Sequence, residues 1–99
     1  MLTLKTAFNR GHSRVWLDRA SCAKLAIHHG APFVAVFSAD RIALRFDPAR
    51  FGDLRPRRVA GSPDRPVIDV AGSKVSAVLP KGGQYTASRH GSTVTIRPA

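Results

Sequence analysis

Two stretches of this sequence, Arg14-Val15-Trp16-Leu17-Asp18 and Arg65-Pro66-Val67-Ile68-Asp69, lie 51 positions apart and share their first and last residues. In the first stretch, Val15 and Leu17 fall on one face of an extended chain. Apolar residues at alternate positions are typical of a half-buried β-strand. The two stretches therefore predict two equivalent strands, one in each half of the chain.

The rest of each half follows the same order of elements. After a register slip of two residues, Gly30 corresponds to Gly83 and the run 41–45 corresponds to 93–97. Each half is predicted to form a strand, a short helix, a strand, a turn and a strand, which indicates an internal repeat. In chain order the elements are a strand at 14–18, a helix capped by Ser21 and stopped by Gly30, strands at 33–37 and 41–46, a strand at 66–70, a helix capped by Ser73 and broken at 80–83, and strands at 84–88 and 92–97.

This pattern predicts a mainly β fold with two short helices and one shared core. Residues 1–48 form a first half-unit, residues 49–56 a linker, and residues 57–99 a second half-unit. The linker assignment rests on the stretch 47–58, which holds two prolines, one glycine and four arginines. Halves of roughly 45 residues are too short to fold alone, so both are expected to contribute to a single core.

The chain has 99 residues, of which 43% are hydrophobic, and it carries 16 Lys and Arg against 6 acidic residues. A formal charge of +10 indicates a polyanionic partner. The longest apolar run, 31–37, contains a proline and is too short to span a membrane. The one cysteine, Cys22, permits no internal disulfide. We therefore expect a cytoplasmic, nucleoid-associated protein with no membrane contact.

Catalytic and metal-binding interpretations find little support in the sequence. Asp18 and Asp69 form the one symmetric acidic pair, and each is expected to end a strand and cap the following turn. His28 and His29 are adjacent, so on a helix their side chains diverge and do not make a metal site. Cys22 is expected to be a small buried residue. We predict no enzymatic activity, no catalytic residues, no metal and no cofactor.

The basic residues are grouped in two segments that precede the equivalent strands. Lys5, Arg10 and Arg14 precede or open the first strand, and Arg55, Arg57, Arg58 and Arg65 stand in the same place in the second half. We expect both segments to be pliant loops and two copies of one binding surface. The planar guanidinium of arginine can bind phosphate or the guanine edge with two hydrogen bonds. Trp16 is expected in the core beside Leu17, with base stacking as the alternative.

Part of the sequence resembles a known family. Arg57-Arg58-Val59, a short Gly-containing gap, and Arg65-Pro66-Val67-Ile68-Asp69 are similar to the opening of AbrB/SpoVT-like swapped-hairpin DNA-binding domains. Asp64 stands where that family usually has Gly, and Pro66 and Asp69 replace its Val and Pro. The stretch 9–18 fits a looser version of the motif. The tandem pairing also resembles small bacterial proteins and segments that precede some DNA cytosine methyltransferases.

The resemblance implies a tandem swapped-hairpin pseudo-dimer, in which one chain supplies two units that normally come from two chains. Members of the family bind double-stranded DNA with arginines from the loops that flank the first strand. The implied DNA-binding positions are Arg57, Arg58 and Arg65 in the second half and Lys5, Arg10 and Arg14 in the first. Arg55 belongs to the same basic segment, and Arg19 and Lys74 are expected to reach the DNA backbone.

The leading hypothesis is a transcriptional regulator, a repressor that binds double-stranded DNA. One alternative is a toxin–antitoxin component, either an AbrB-like antitoxin or a SymE-like toxin that acts on RNA or the nucleoid. Another is a module that inhibits or guides a nucleic-acid enzyme. A homodimer and a separate protein partner are both left open by the sequence.

Overall fold

The computed structural model describes residues 1–99 and consists mostly of antiparallel β-strands. The ten strands are β1 (Leu2–Lys5), β2 (Ala7–Asn9), β3 (His12–Leu17), β4 (Pro32–Phe37), β5 (Ile42–Arg45), β6 (Arg57–Arg58), β7 (Ala60–Ser62), β8 (Arg65–Ala71), β9 (Gln84–His90) and β10 (Thr93–Pro98). The two α-helices, α1 (Arg19–Lys24) and α2 (Ser73–Val78), have six residues each, and Pro48–Arg50 forms a 3-10 turn. The prediction of a mainly β fold with two short helices is confirmed. Neither helix has the length to cross a membrane.

The smaller sheet has four strands in the order β2-β3-β8-β7. Its central pair joins the two halves of the chain, with Arg14 opposite Ala71 and Leu17 opposite Ile68. Each central strand also forms a hairpin with the strand that precedes it, β2 with β3 and β7 with β8. The sheet therefore consists of two hairpins placed side by side.

The larger sheet has six strands in the order β1-β9-β10-β5-β4-β6. Two hairpins, β4-β5 and β9-β10, meet at the β5-β10 pair in its centre. The strands at the two edges are exchanged between the halves, because β1 pairs with β9 and β6 pairs with β4. If each strand is replaced by its counterpart from the other half, both sheets have the same strand order, read from the opposite edge.

The structure also fixes which residues of the two halves correspond. Ala7 pairs with Arg14 and Ala60 pairs with Val67, so counterparts in the small sheet lie 53 positions apart. The offset of 51 expected from the sequence is wrong by two residues. Side chains in a strand alternate with a period of two, so a slip of two leaves the same pattern of inward and outward positions. Apolar alternation alone could not reveal this error.

A single hydrophobic core lies between the sheets and receives residues from both halves. Its 18 buried members are Val15, Leu17, Cys22, Leu25, Ile27, Phe33, Ile42, Leu44, Val59, Ile68, Val70, Val75, Val78, Leu79, Tyr85, Ala87, Val94 and Ile96. Each helix packs on the central strand of the other half, α2 on β3 and α1 on β8. At one of these contacts the Ser13 hydroxyl donates to the Leu79 carbonyl at 2.7 Å, and Ser76 Oγ accepts from the Ser13 amide at 2.8 Å.

The helix caps match the expectations only in part: Asp18 caps the turn after its strand, as expected, whereas the serine caps are wrong. Asp18, not Ser21, is the N-cap of α1, and its carboxylate accepts from the Ser21 amide at 2.9 Å. The N-cap of α2 is Gly72 with φ 125°, and Ser73 is already helical. With the corrected offset the counterpart of Asp18 is Ala71, so Asp69 does not cap a turn but lies within β8. Both helices begin earlier than a serine cap requires, α1 at Arg19 and α2 at Ser73.

The segments expected to be loops contain strands. Residues 2–9 form β1 and β2, and residues 57–62 form β6 and β7. The stretch 47–58 holds the 3-10 turn and ends in β6. β1 and β6 pair with distant partners, and β2 and β7 have only three residues each, so their own sequence carries little signal. Trp16 was also expected in the core, but its side chain is 42% exposed because it points away from the buried Val15 and Leu17.

Candidate nucleic-acid interface

One face of the small sheet is open to solvent and carries polar and aromatic side chains. Val15 and Leu17 of β3 and Ile68 and Val70 of β8 point into the core, so the alternate residues point outward. Residues directly opposite each other share a face, which adds positions from β2 and β7. We call this surface the outer face; it comprises Ala7, Asn9, His12, Arg14, Trp16, Ala60, Ser62, Arg65, Val67, Asp69 and Ala71.

The centre of the outer face is an ordered cluster of an arginine, a carboxylate and an indole. Arg14 Nε and Nη2 donate to the two carboxylate oxygens of Asp69 at 2.6 and 2.7 Å. The Arg14 guanidinium carbon also lies 4.5 Å from the centre of the Trp16 ring. Trp16 and Asp69 are directly opposite in the β3-β8 pair. The planar guanidinium thus bonds the carboxylate with its edge and contacts the indole with its face.

This cluster neutralises the one carboxylate of the outer face. Hydrogen bonding from Arg14 holds the pKa of Asp69 below its usual range, and it raises the pKa of Arg14. Arg57 Nη1 donates to the Asp69 backbone oxygen at 3.1 Å, which brings a second cation to the same residue. The face therefore keeps a positive balance at neutral pH.

Two further cations lie at the ends of the small sheet with no hydrogen-bond partner in the chain. Arg10 occupies the β2-β3 turn with φ 52°, followed by Gly11 with φ 83°. Arg65 is the first residue of β8 and lies near the far end of β3, because the two strands are antiparallel. Both side chains are exposed. They are free to bind an anion.

The other predicted binding residues fall outside the outer face. Lys5 ends β1 at the edge of the large sheet, and Arg58 Nη1 donates to the Gly30 carbonyl at 2.9 Å. Arg19 begins α1 near Asp64, whose pKa is lowered first by the Ser62 hydroxyl and more weakly by the charge of Arg19. The remaining two, Arg55 and Lys74, line a groove beside β4 together with Arg57.

The predicted equivalence of the two basic segments holds only in part. Lys5 and Arg58 are counterparts at the corrected offset, but the counterpart of Arg65 is His12 and not Arg14. The structure therefore gathers Arg10, Arg14, Arg57 and Arg65 on or beside one sheet and separates them from the rest. Asn9 and Ser62 of the outer face were missed, although their pairing with His12 and Arg65 follows from the hairpins.

The candidate catalytic and metal-ligating residues are dispersed. His28 and His29 are exposed after α1, and no three His, Cys, Asp or Glu side chains form a group that could hold a metal ion. Cys22 is buried as expected, and desolvation raises the pKa of its thiol.

Comparison of the chain with protein-family models, curated proteins and solved structures found no match. The resemblance to swapped-hairpin domains accordingly rests on the quoted motifs.

Proposed function

We propose that this protein binds double-stranded DNA through the outer face and acts as a transcriptional regulator, a repressor. The observation that carries the proposal is the outer face itself, with its single carboxylate paired to Arg14 and free arginines at both ends. A formal charge of +10 favours the approach of the duplex. Such a regulator would be associated with the nucleoid in the cytoplasm.

The exchange of strands between the halves supports a swapped-hairpin pseudo-dimer. β1 of the first half pairs with β9 of the second, and β6 of the second half pairs with β4 of the first. The two hairpins of the small sheet, β2-β3 and β7-β8, likewise come one from each half and are joined by the β3-β8 pair. The backbone of the small sheet therefore has an approximate twofold symmetry, but its outward side chains differ between the halves, as His12 and Arg65 do, so we expect a duplex site that is not palindromic.

In the proposed complex the β3-β8 ribbon enters the major groove, whose width admits two antiparallel strands. Arg10 and Arg65 lie at the ends of this ribbon, where they can contact phosphates or the guanine edge. Arg14 and Trp16 lie in its centre, where Asp69 holds the Arg14 guanidinium against the indole, so both contact the bases in a fixed orientation. Five cations, namely Arg10, Arg65, Lys5, Arg19 and Arg57 beside Asp69, neutralise about five phosphates, which predicts a slope of log K against log salt of about −4 to −5.

The test is a titration of the protein with a duplex that it selects from a random pool and with a scrambled duplex. Arg65→Ala is expected to weaken binding to the selected duplex by about 1–3 kcal/mol, and much less on the scrambled one, because a base contact is lost. Arg97→Ala is the matched control, since Arg97 is an exposed arginine on β10 of the other sheet. This control is expected to change either affinity by less than about twofold because distant surface charges are screened.

Each outcome is informative about the outer face. If Arg65→Ala loses equal affinity for both duplexes, Arg65 contacts phosphate and not a base. A protein that binds no duplex at low salt, or whose affinity does not depend on salt, contradicts the proposal.

A further inference from the structure

β4 leaves part of one edge without a partner strand. It pairs with β5 along one side, and on the other side β6 reaches only Pro32 and Phe33. The Ser38 amide donates to the Arg41 carbonyl, so the alternate residues Val36 and Val34 direct their backbone groups toward β5. Ala35 and Phe37 direct theirs toward the open side, where no segment of the chain pairs with them.

The corresponding edge in the other half is covered. β1 pairs with four residues of β9, from Gln84 to Ala87. Phe37 pairs with Ile42 and Arg89 with Val94, so residues of β4 and β9 correspond at an offset of 52. Val34 and Ala35 are therefore the counterparts of two residues that β1 covers. The second half supplies no equivalent cover for β4, because β6 consists only of Arg57 and Arg58 and pairs only with Pro32 and Phe33.

A cationic groove of about 380 Å³ runs along this open edge. Its lining includes Ala35 and Phe37 of β4, Leu54, Arg55 and Arg57, and residues from Val70 to Lys74, and none of these residues is acidic. The Leu54 side chain is 49% exposed, and Lys74 Nζ lies 5.8 Å from the centre of the Phe37 ring. The groove thus offers unpaired backbone groups, apolar surface and three positive charges together.

We propose that the open edge of β4 binds an extended acidic segment of another protein as an added β-strand. Backbone groups of the segment pair with Ala35 and Phe37, as β1 pairs with β9. Its carboxylates meet Arg55, Arg57 and Lys74, and its apolar side chains contact Leu54. A second copy of this chain is a poor occupant, because it has 16 basic against 6 acidic residues. The inference is independent of DNA binding by the outer face.

The test uses a fluorescent seven-residue peptide of alternating valine and glutamate, together with amide hydrogen exchange of the full chain. Binding is expected to slow the exchange of the Ala35 and Phe37 amides at least about tenfold, because both enter a ladder. Lys74→Glu and Arg55→Glu are each expected to weaken peptide binding at least about tenfold through charge reversal. Lys24→Glu makes the same charge change on exposed α1 and is expected to leave the affinity unchanged.

A second peptide has the same side chains but carries a methyl group on every amide nitrogen. It keeps the charged side chains and loses the backbone N–H donors, so it is expected to bind at least about tenfold more weakly. Equal binding of the two peptides would overturn strand addition. Failure of the first peptide to protect Ala35 and Phe37 would overturn the site. Protection of the same amides by duplex DNA or by a second copy of the chain, without protection by the peptide, would also overturn it.

Discussion

Thr6 occupies in the first half the place that Val59 occupies in the second, 53 positions later. Both residues are buried, and both amides donate to a carbonyl just before a long strand, Thr6 to Gly83 and Val59 to Ala31. The difference is the hydroxyl, because Thr6 Oγ1 is buried with no hydrogen-bond partner. A buried polar group without a partner lowers stability.

Thr6→Val is accordingly expected to raise the free energy of unfolding by about 1 kcal/mol, because it removes that hydroxyl and keeps the shape of the side chain. Thr6→Ser is the control, since it keeps the hydroxyl, removes a methyl group and is expected to be destabilising. Denaturant unfolding of the three proteins measures both differences. A less stable Thr6→Val variant would show that the hydroxyl has a favourable partner.

At the scale of the element, α1 is a six-residue helix stabilised from both ends. Asp18 accepts from the Ser21 amide at its start. At its end Arg89 Nη1 donates to the carbonyls of Leu25 and Ala26 at 3.0 and 2.9 Å. Helices this short have low intrinsic stability, so α1 depends on its packing against β8 and on these contacts at its two ends. The hydrogen bond from Ser21 also lowers the pKa of Asp18, so this contribution is present above the ordinary aspartate pKa and is lost at lower pH.

Asp18→Ala is expected to lower the free energy of unfolding by about 1 kcal/mol, because the first turn of α1 loses its cap. Asp18→Asn retains an acceptor oxygen and is expected to lose only a fraction of that. Asp53→Ala removes an equal charge from an exposed turn where no side-chain hydrogen bond is made. Thermal or denaturant unfolding at neutral pH distinguishes the loss of the capping hydrogen bond from the loss of a negative charge. Similar losses of unfolding free energy for Asp18→Ala and Asp53→Ala would contradict the assignment of Asp18 as a cap.

At the scale of the whole molecule, Tyr85 links the two sheets and the two halves. It lies in β9, is fully buried, and donates its hydroxyl to the Trp16 carbonyl of β3 at 3.3 Å. Desolvation in the core raises the pKa of its phenol to about 12. Below pH ~10 the phenol is protonated in both the folded and the unfolded chain, so its ionisation has no effect on stability.

Above pH ~10 the unfolded phenol ionises while the folded one remains protonated, so stability falls by about 1.4 kcal/mol per pH unit until pH ~12. Tyr85→Phe removes this ionisation and places in β9 the residue type of its counterpart, Phe33. The difference in unfolding free energy between the two proteins is therefore expected to shift by about 2–3 kcal/mol in favour of the variant from pH ~9.5 to ~12. Parallel pH profiles would show that Tyr85 ionises without unfolding.

The sequence by itself determined the class of secondary structure and the existence of a repeat. Alternating apolar residues such as Val15 and Leu17 predicted the long strands, and the matching order of elements in the two halves predicted where the two helices lie along the chain. These signals are local, because the inward and outward pattern of a strand depends only on its own residues. The net charge and the arginine-rich segments were equally available from composition.

The tertiary structure decided which strands pair and which arginines are free. β1, β2, β6 and β7 have two to four residues each, and β1 and β6 pair only with distant strands, so no local pattern distinguished the four from loops. The exposure of Trp16 and the binding of Arg14 to Asp69 depend on the pairing of β3 with β8, two strands about fifty residues apart. The open edge of β4 likewise depends on tertiary pairing, because β6 covers only Pro32 and Phe33 whereas β1 covers four residues of β9. Pairing between distant segments is a property of the folded chain. It determines which arginines find a partner and which strand edges are covered, and therefore which cations and edges stay free.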